Sequence, residues 1–430
     1  MRYNSPMTPL KIAMISYHTS PLASLEGKET GGMNVYVLEL SRALAKKGHL
    51  VDMYTRRQSL HQAEVIQVAP RLRVIHLTAG LERHLPKKQL INYIPEFTQN
   101  YLKFIRSEKI TYDLFHAYYY LSGLIALRIL EETHISLPLI MSFHTLALMK
   151  NLVARNPDEK AGSLRIAAEQ QLTREADRII SPSESDRRYL EYLYDTPLEK
   201  IAVIPPGVDT AIFKPIAKDT ARRRIGASLK HKIITFVGRI EPLKGIDVLM
   251  YAMTILLKRR PEMVACLWIV GGDVSQPQML WSRQLKHLEK LRQTLGISTI
   301  VKFVGQRPQV ELPDYYNAAD IVVMPSHYES FGMAALEAMA CGVPVITTNV
   351  SGVAGLMDEG SQSLITTVNH PLLLATQMEK LLTDTKFHQH ISQQLLAQAD
   401  KWDWEYVAVR IEKLYRNEIE LHQVKRFNQA

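Results

Sequence analysis

Two glutamates flank the start of a helix late in the chain. Glu329 stands just before Phe331-Gly332-Met333, and Glu337 lies inside the run Met333 to Cys341. That run is otherwise Ala, Leu, Met and Cys, a composition that favours a buried helix. Gly342 and Pro344 end it. A carboxylate on a buried helix needs a hydrogen-bonding partner, and a core helix carrying one chance glutamate is the plainer alternative. Paired carboxylates first suggest acid–base chemistry. Two cations far upstream, Arg239 and Lys244, share one loop after an apolar run. Together with the helix N-terminus at Met333 they would make a diphosphate site, because free N–H groups and fixed cations both favour phosphate oxygens. Gly332 would let the backbone approach such a ligand closely. A solvated basic loop is the plainer alternative for Arg239–Lys244, and the carboxylate pair beside it makes that the lesser reading.

The elements that must position these groups alternate along the whole chain. Lys11–Ser16 reads as a strand, Met33–Lys47 as a helix, and His49–Thr55 as a second strand, with Gly27, Gly31 and Gly32 in the loop between. Strands follow at Arg73–Leu77, Leu114–Ala117, Pro138–Ser142, Arg178–Ser181 and Ile201–Ile204. Helices are expected over 90–106, 122–132, 164–176 and 185–194. Pro205-Pro206-Gly207-Val208-Asp209 is a stiff connector. The pattern then restarts with strands at Ile233–Arg239, Val264–Val270, Ile300–Val304, Ile321–Met324 and Val343–Thr348. Helices are expected over 246–258, 280–295, 333–341, 371–383 and 384–399, and one long helix from Trp404 closes the chain. This is an α/β pattern of two doubly wound, Rossmann-like domains with parallel sheets facing across a cleft. The boundaries are 1–205 for the first domain and 206–403 for the second.

In that architecture ligands bind at the carboxyl ends of strands. In the second half those positions hold Arg239, Lys244, Arg307 and Glu329; in the first they hold Gly31-Gly32, Tyr119 and His144. His144 by itself is better read as a satisfied loop histidine. Gly31-Gly32 is not the dinucleotide fingerprint, so no nicotinamide cofactor is expected. There is no Asp-x-Asp, no His-Glu-x-x-His and no Cys cluster, so neither a metal nor another cofactor is expected.

A chain of 430 residues with 46% hydrophobic and 22% charged residues has length and composition for two enzyme-like domains. Its net charge of +9 would suit phosphorylated small molecules, an anionic membrane surface or nucleic acid. Nucleic acid is the weakest of the three, because the cations are scattered and no aromatic-interleaved basic stripe exists. Cys266 and Cys341 lie in apolar runs and read as buried reduced thiols. No run approaches the roughly 20 apolar residues of a membrane span, and no signal-peptide core is seen. A cytoplasmic protein is the expectation.

These residues together resemble the retaining two-domain nucleotide-sugar glycosyltransferases of the family 4 type, the family that includes sucrose and sucrose-phosphate synthases. Glu329 and Glu337 match its E-x7-E signature. Val237-Gly238-Arg239-Ile240-Glu241-Pro242-Leu243-Lys244-Gly245 is similar to its diphosphate loop, and Pro205–Asp209 to its interdomain segment. Gly31–Val37, His144–Ala147 with Lys150-Asn151, and Glu169-Gln170-Gln171 resemble the subgroup that glycosylates inositol phosphate. The resemblance implies a GT-B fold, with the final helix packing back on the first domain. It implies a hexosyl transfer from UDP-N-acetylglucosamine or UDP-glucose to a phosphorylated polyol or sugar. The implied donor residues are Gly32, Arg239, Lys244, Arg307, Glu329, Phe331, Gly332, Met333 and Glu337, with His144, Arg239, Lys244 and Glu329 closest to the chemistry. The implied acceptor residues are Asn34, Lys87, Tyr119, Thr145 and Arg165. The loop Tyr17–Pro21 and the segment Ser351–Leu356 follow the subgroup only in part. Transfer to fructose 6-phosphate, or a lipid-linked reaction at a membrane surface, are the alternatives. A sugar-nucleotide binding protein and a pyridoxal-bearing phosphorylase fit less well. A homodimer is compatible with the family.

Overall fold

The computed structural model describes residues 8–23, 31–350, 352–357, 361 and 364–429. The N-terminal residues 1–7, Gly27 of the first loop and Ser351 lie outside them. Two separate sheets account for every described strand. The first contains β1 (Lys11–Ile15), β2 (Leu50–Arg56), β3 (Val65–Ala69), β4 (Leu72–Leu77), β5 (Leu114–Tyr118), β6 (Leu139–Ser142), β7 (Arg178–Ser181) and β8 (Ile201–Val203), in the order β3-β4-β2-β1-β5-β6-β7-β8. The second contains β9 (Lys232–Val237), β10 (Ala265–Val270), β11 (Val301–Gly305), β12 (Ile321–Met324), β13 (Val345–Thr348) and β14 (Ile365–Thr366), in the order β11-β10-β9-β12-β13-β14. The central strands are short, mostly apolar runs buried on both faces, as helix-covered parallel sheets require.

In each sheet the strand order reverses at one strand, β1 in the first and β9 in the second. The loops leaving those strands therefore open onto a crevice. The first leads to the helix Gly32–Lys46; the second carries Arg239 to Lys244 and leads to the helix Ile246–Arg259.

The all-parallel expectation fails at one edge. β3 pairs antiparallel with β4 through a turn in which Arg71 has φ 65°. β3 is half-exposed and carries no strong apolar run, so its sequence gave no strand signal. The helix expected over 90–106 is broken. A short helix, Lys87–Leu90, and a single 3-10 turn precede the main helix Ile94–Ser107, whose first turn holds Pro95. Proline lacks the N–H that a continuous helix would need there. The helix Tyr119–Thr133 starts three residues earlier than expected, with Tyr119 itself at φ 71°. Short helices at Ala147–Val153, Lys218–Arg224 and Leu312–Ala318 had no periodic signature long enough to read. Cys341 is buried, whereas Cys266 is only half-buried.

The last helix, Trp404–Gln429, returns to the first sheet. Trp404, Val407, Ala408, Ile411 and Tyr415 pack in one cluster with Ile12, Met14, Val37 and Leu40. The Tyr415 hydroxyl and His116 Nδ1 lie 2.6 Å apart in the interior. Where the chain leaves the first sheet it runs beside its own return: the Val208 amide donates to the Trp402 carbonyl at 2.8 Å. A Cβ added at Gly207 would lie 2.9 Å from the Trp404 backbone. The two crossings thus form one tight double-stranded neck, clamped by the Trp404 indole. Trp404→Ala should remove that clamp and destabilise the protein by about 3–5 kcal/mol, read as a lowered midpoint in chemical denaturation.

Candidate functional site

The strand-end residues of the second sheet gather around one ion pair. Lys244 Nζ lies 2.5 Å from Glu329 Oε2, and both side chains are largely covered. Lys244 ends a 3-10 turn after Pro242, and Gly245 follows at φ 62°. A Cβ at Gly245 would stand 2.1 Å from the Pro325 carbonyl oxygen, so the loop after β9 presses directly against the end of β12. This contact brings Lys244 and Glu329, distant in sequence, to one place. Arg239 Nη1 pairs with Glu241 Oε1 at 2.8 Å. Burial would raise the Glu241 carboxyl, but Arg239, Lys244, Lys150 and Lys87 together hold it below its usual range. A cationic field therefore spans the cleft, since Lys87 and Lys150 come from the first domain. Burial lowers the Lys150 ammonium, and Arg165, Lys87 and Arg239 push it further down.

Gly332 caps the helix Met333–Ala340 in the left-handed region, φ 101°. That conformation is open to glycine at little cost and points the first helical turn at the crevice. Phe331 is buried, and its carbonyl accepts from the Val353 amide at 2.6 Å. Glu337 sits in the core, where the Tyr316 hydroxyl donates to Oε2 at 2.7 Å. Burial pushes its carboxyl up to about 7, with that hydrogen bond acting against the rise. The neighbouring Tyr315 lies under the Arg307 guanidinium at 5.8 Å, and Arg307 Nη2 donates to the Val304 carbonyl at 3.3 Å. Consecutive tyrosines on Leu312–Ala318 thus orient Glu337 and Arg307.

From the first domain, the Gly31-Gly32 turn faces these groups. A Cβ at Gly32 would meet Met333 Sδ at 3.4 Å, and one at Gly31 would meet Arg239 Cδ at 3.7 Å. His144 follows β6 at φ 60°, between the rings of Tyr36 and Tyr118. Desolvation lowers it to about 3, so it is neutral at pH 7, and its buried Nε2 has no hydrogen-bond partner. Next to it lies a basic pocket. Arg165 Nη2 donates to the Thr145 carbonyl at 2.7 Å and to its hydroxyl at 3.1 Å, while Nε pairs with Glu169 at 2.7 Å. The Arg165 guanidinium lies 4.8 Å from the Tyr119 ring centroid, and Lys87 Nζ lies 5.6 Å from it. Lys87, Tyr119, Thr145 and Arg165 therefore converge. Asn34 behaves differently: its amide nitrogen donates to the Thr19 hydroxyl and the Ser20 carbonyl, and only Oδ1 is left without a partner. It fixes the loop after β1.

The chain matches the family model described as "Glycosyl transferases group 1" over residues 217–397 and "Glycosyltransferase Family 4" over 30–212. It is 37% identical over 409 residues to the D-inositol 3-phosphate glycosyltransferase of Corynebacterium jeikeium, covering 94% of this chain and 96% of that one. It is 36% identical over 409 residues to the protein of the same name from Corynebacterium efficiens, covering 94% and 95%. This chain belongs to the family 4 glycosyltransferases. Its structure is similar to sucrose-phosphate synthase from Thermosynechococcus elongatus, with a TM-score of 0.85 at 29% identity over 95% of this chain and 98% of that one.

Several residues that shape this glycosyltransferase site carried no readable sequence signal. Tyr316 and Tyr315 work through their neighbours, and Glu241 looked like one more loop charge. Glu169 anchors Arg165, and Asp186 with Ser183 meets the Glu329 loop from the other domain. Among the described residues no group of His, Cys, Asp and Glu could hold a metal ion, and no helix is long and apolar enough to cross a membrane.

Glu337 yields a pH test. Its folded-state pKa of about 7 lies above the unfolded value of 4.5, so the folded state keeps a proton that the unfolded state loses. Its contribution is therefore complete below pH 4.5 and is lost as pH rises through 7, by about 3 kcal/mol in all. Wild type should lose stability relative to Glu337→Gln across that window in denaturant titrations. Parallel curves would show that Glu337 is ionised throughout.

Proposed function

We propose that this glycosyltransferase moves a hexosyl group from UDP-N-acetylglucosamine or UDP-glucose to a phosphorylated polyol of the inositol phosphate type, with retention. The observation that carries this reading is the pairing of two anion sites across one cleft. Lys244, Arg239 and the Met333 helix start lie on one side; Arg165, Thr145, Tyr119 and Lys87 lie on the other. The name shared by the curated relatives supports the acceptor.

In this reading Arg239 and Lys244 bind the donor diphosphate and offset the charge that develops as it leaves. Lys244 then exchanges Glu329 for phosphate, which releases the Glu329 carboxylate to accept hydrogen bonds from the hexose hydroxyls. The Phe331-Gly332-Met333 backbone borders the same sugar. Glu337 takes the ribose hydroxyls, Arg307 flanks the base, and Gly32 allows the first helix to approach the diphosphate. His144 is neutral, so it contacts the sugar by hydrogen bonding and not by charge. A leaving phosphate oxygen accepts the acceptor's proton on the same face of the sugar, which retains its configuration. The reading includes no metal or other cofactor. A cytoplasmic location belongs to it as well, in keeping with two free thiols.

The likeness to sucrose-phosphate synthase supports a second acceptor, fructose 6-phosphate. A nucleotide-release screen of UDP- and GDP-sugars against inositol phosphate, fructose 6-phosphate and glucose 6-phosphate decides between them; turnover with none would overturn the reading. Lys244→Ala should lower kcat by about 100-fold or more with the fold intact, and near-normal turnover would remove its leaving-group role. Arg165→Ala should raise KM for the phosphorylated acceptor by at least about 10-fold, with little change for its unphosphorylated analogue. Equal effects on both would discard the acceptor-phosphate site.

A further inference from the structure

The loop that carries Glu329 is fastened to the opposite domain by groups that the reaction itself does not use. Tyr328, immediately before Glu329, inserts its ring into the hydrophobic core of the first domain and is 3% exposed. Its ring stands edge-on to Tyr189, with centroids 6.2 Å apart. The Tyr328 hydroxyl donates to Asp186 Oδ1 at 3.2 Å and accepts from the Leu146 amide at 3.4 Å. On the other side of Glu329, the Ser330 hydroxyl donates to Asp186 Oδ2, and the Ser330 carbonyl accepts from the Ser183 hydroxyl at 2.9 Å. Gly352 closes the same junction. A Cβ there would lie 2.5 Å from the Ser330 carbonyl oxygen and 2.7 Å from Ser183 Cβ.

Ser183 and Asp186 open the helix Glu184–Tyr194, with the Asp186 amide donating to the Ser183 hydroxyl at 3.1 Å. Their spacing is that of a capping box, in which the acid would turn back to the cap amide. Here the carboxylate instead accepts from two hydroxyls of the other domain. It is 3% exposed, and among the described residues none of its hydrogen-bond partners is a cation. A buried carboxylate held by hydroxyls alone is costly; burial pushes its pKa to about 7, against the two hydroxyl hydrogen bonds, with Glu329 adding to the rise. Capping the helix does not require that cost, since Ser183 supplies the cap. What the carboxylate does secure is geometry. One end of the cluster reaches Leu146, next to Thr145 and His144, and the other reaches Glu329 from both sides.

We propose that Asp186 is a positioning residue for hexosyl transfer. Through Tyr328 and Ser330 it latches the Glu329 loop onto the first domain, so that the sugar-binding carboxylate is seated only when the two domains are closed. This rests on the reading that Glu329 holds the donor hexose. The latch touches neither Arg239, which pairs with Glu241, nor Glu337, which is held by Tyr316 within the second domain, and a bound diphosphate takes the place of Glu329 at Lys244. The latch therefore acts on the sugar and not on the nucleotide.

The test uses the full-length chain and compares binding of UDP with binding of UDP-N-acetylglucosamine or UDP-glucose, whichever wild type turns over, by calorimetry. Asp186→Asn should keep the UDP Kd within about 2-fold and weaken the UDP-sugar by about 10-fold, the size of one or two hydrogen bonds to a charged group. Its kcat should fall by a similar factor with acceptor KM nearly unchanged. Tyr328→Phe, which removes one hydroxyl and keeps the buried ring, should show the same split and guards against a folding defect in the first variant. Equal weakening of UDP and UDP-sugar, or no change in either variant, overturns the latch. Glu329→Gln is the reference: a sugar-specific loss there but not in Asp186→Asn or Tyr328→Phe removes the latch alone. No sugar-specific loss in Glu329→Gln removes the reading of Glu329, and the latch with it.

Discussion

The Lys244–Glu329 ion pair is the contact on which the cleft depends. Each partner is mostly shielded from water, so neither charge is tolerable there without the other or a substitute. The lysine compensates the carboxylate. In the proposed reaction a diphosphate takes over the lysine, and sugar hydroxyls take over the carboxylate. On that proposal the site stays compensated through binding, and the interaction energy is redirected to where charge develops on departure of the nucleotide. Both residues depend on the close packing of Gly245 against Pro325, which fixes the loop after β9 onto the end of β12.

Around that pair the two domains contribute different kinds of group. The second supplies carboxylates held by tyrosines or lysine, and a glycine-capped helix start. The first supplies cations, a neutral histidine between aromatic rings, and a glycine turn. Glu241 pairs with Arg239, and Lys87 and Lys150 of the first domain act with Arg239 and Lys244 of the second to hold its carboxyl below the usual range. Charge therefore links the two halves across the cleft, even before a substrate bridges them. The net charge of +9 acquires a local use here, as a field that draws phosphorylated substrates into the crevice.

The neck and the returning helix give the arrangement its mechanics. Val208 and Trp402 bond side by side, and Trp404 packs on Tyr36, which in turn touches His144. An aromatic contact path thus runs from the chain crossing to His144.

Much of this was legible in the sequence because it depends on local chemistry. Alternating apolar runs and helical periodicity set the α/β class. Pro205–Asp209 marked the end of the first sheet. Arg239, Lys244 and Glu329 could be placed in loops after strands beside glycines, which is where the structure has them. The antiparallel edge strand was not legible: an edge needs burial on one face only, so Val65–Ala69 carried too weak a pattern. Tertiary structure alone decided which charges meet. Lys244 pairs with Glu329 and not with Glu337, because Glu337 points inward to Tyr316. Glu241 gathers cations from both domains. Asp186 has the spacing of an ordinary helix cap, yet its carboxylate accepts from the Glu329 loop of the other domain. Spacing along the chain fixes what one helix or loop can do for itself. Contacts between distant loops depend on packing across the cleft, and no local pattern encodes them.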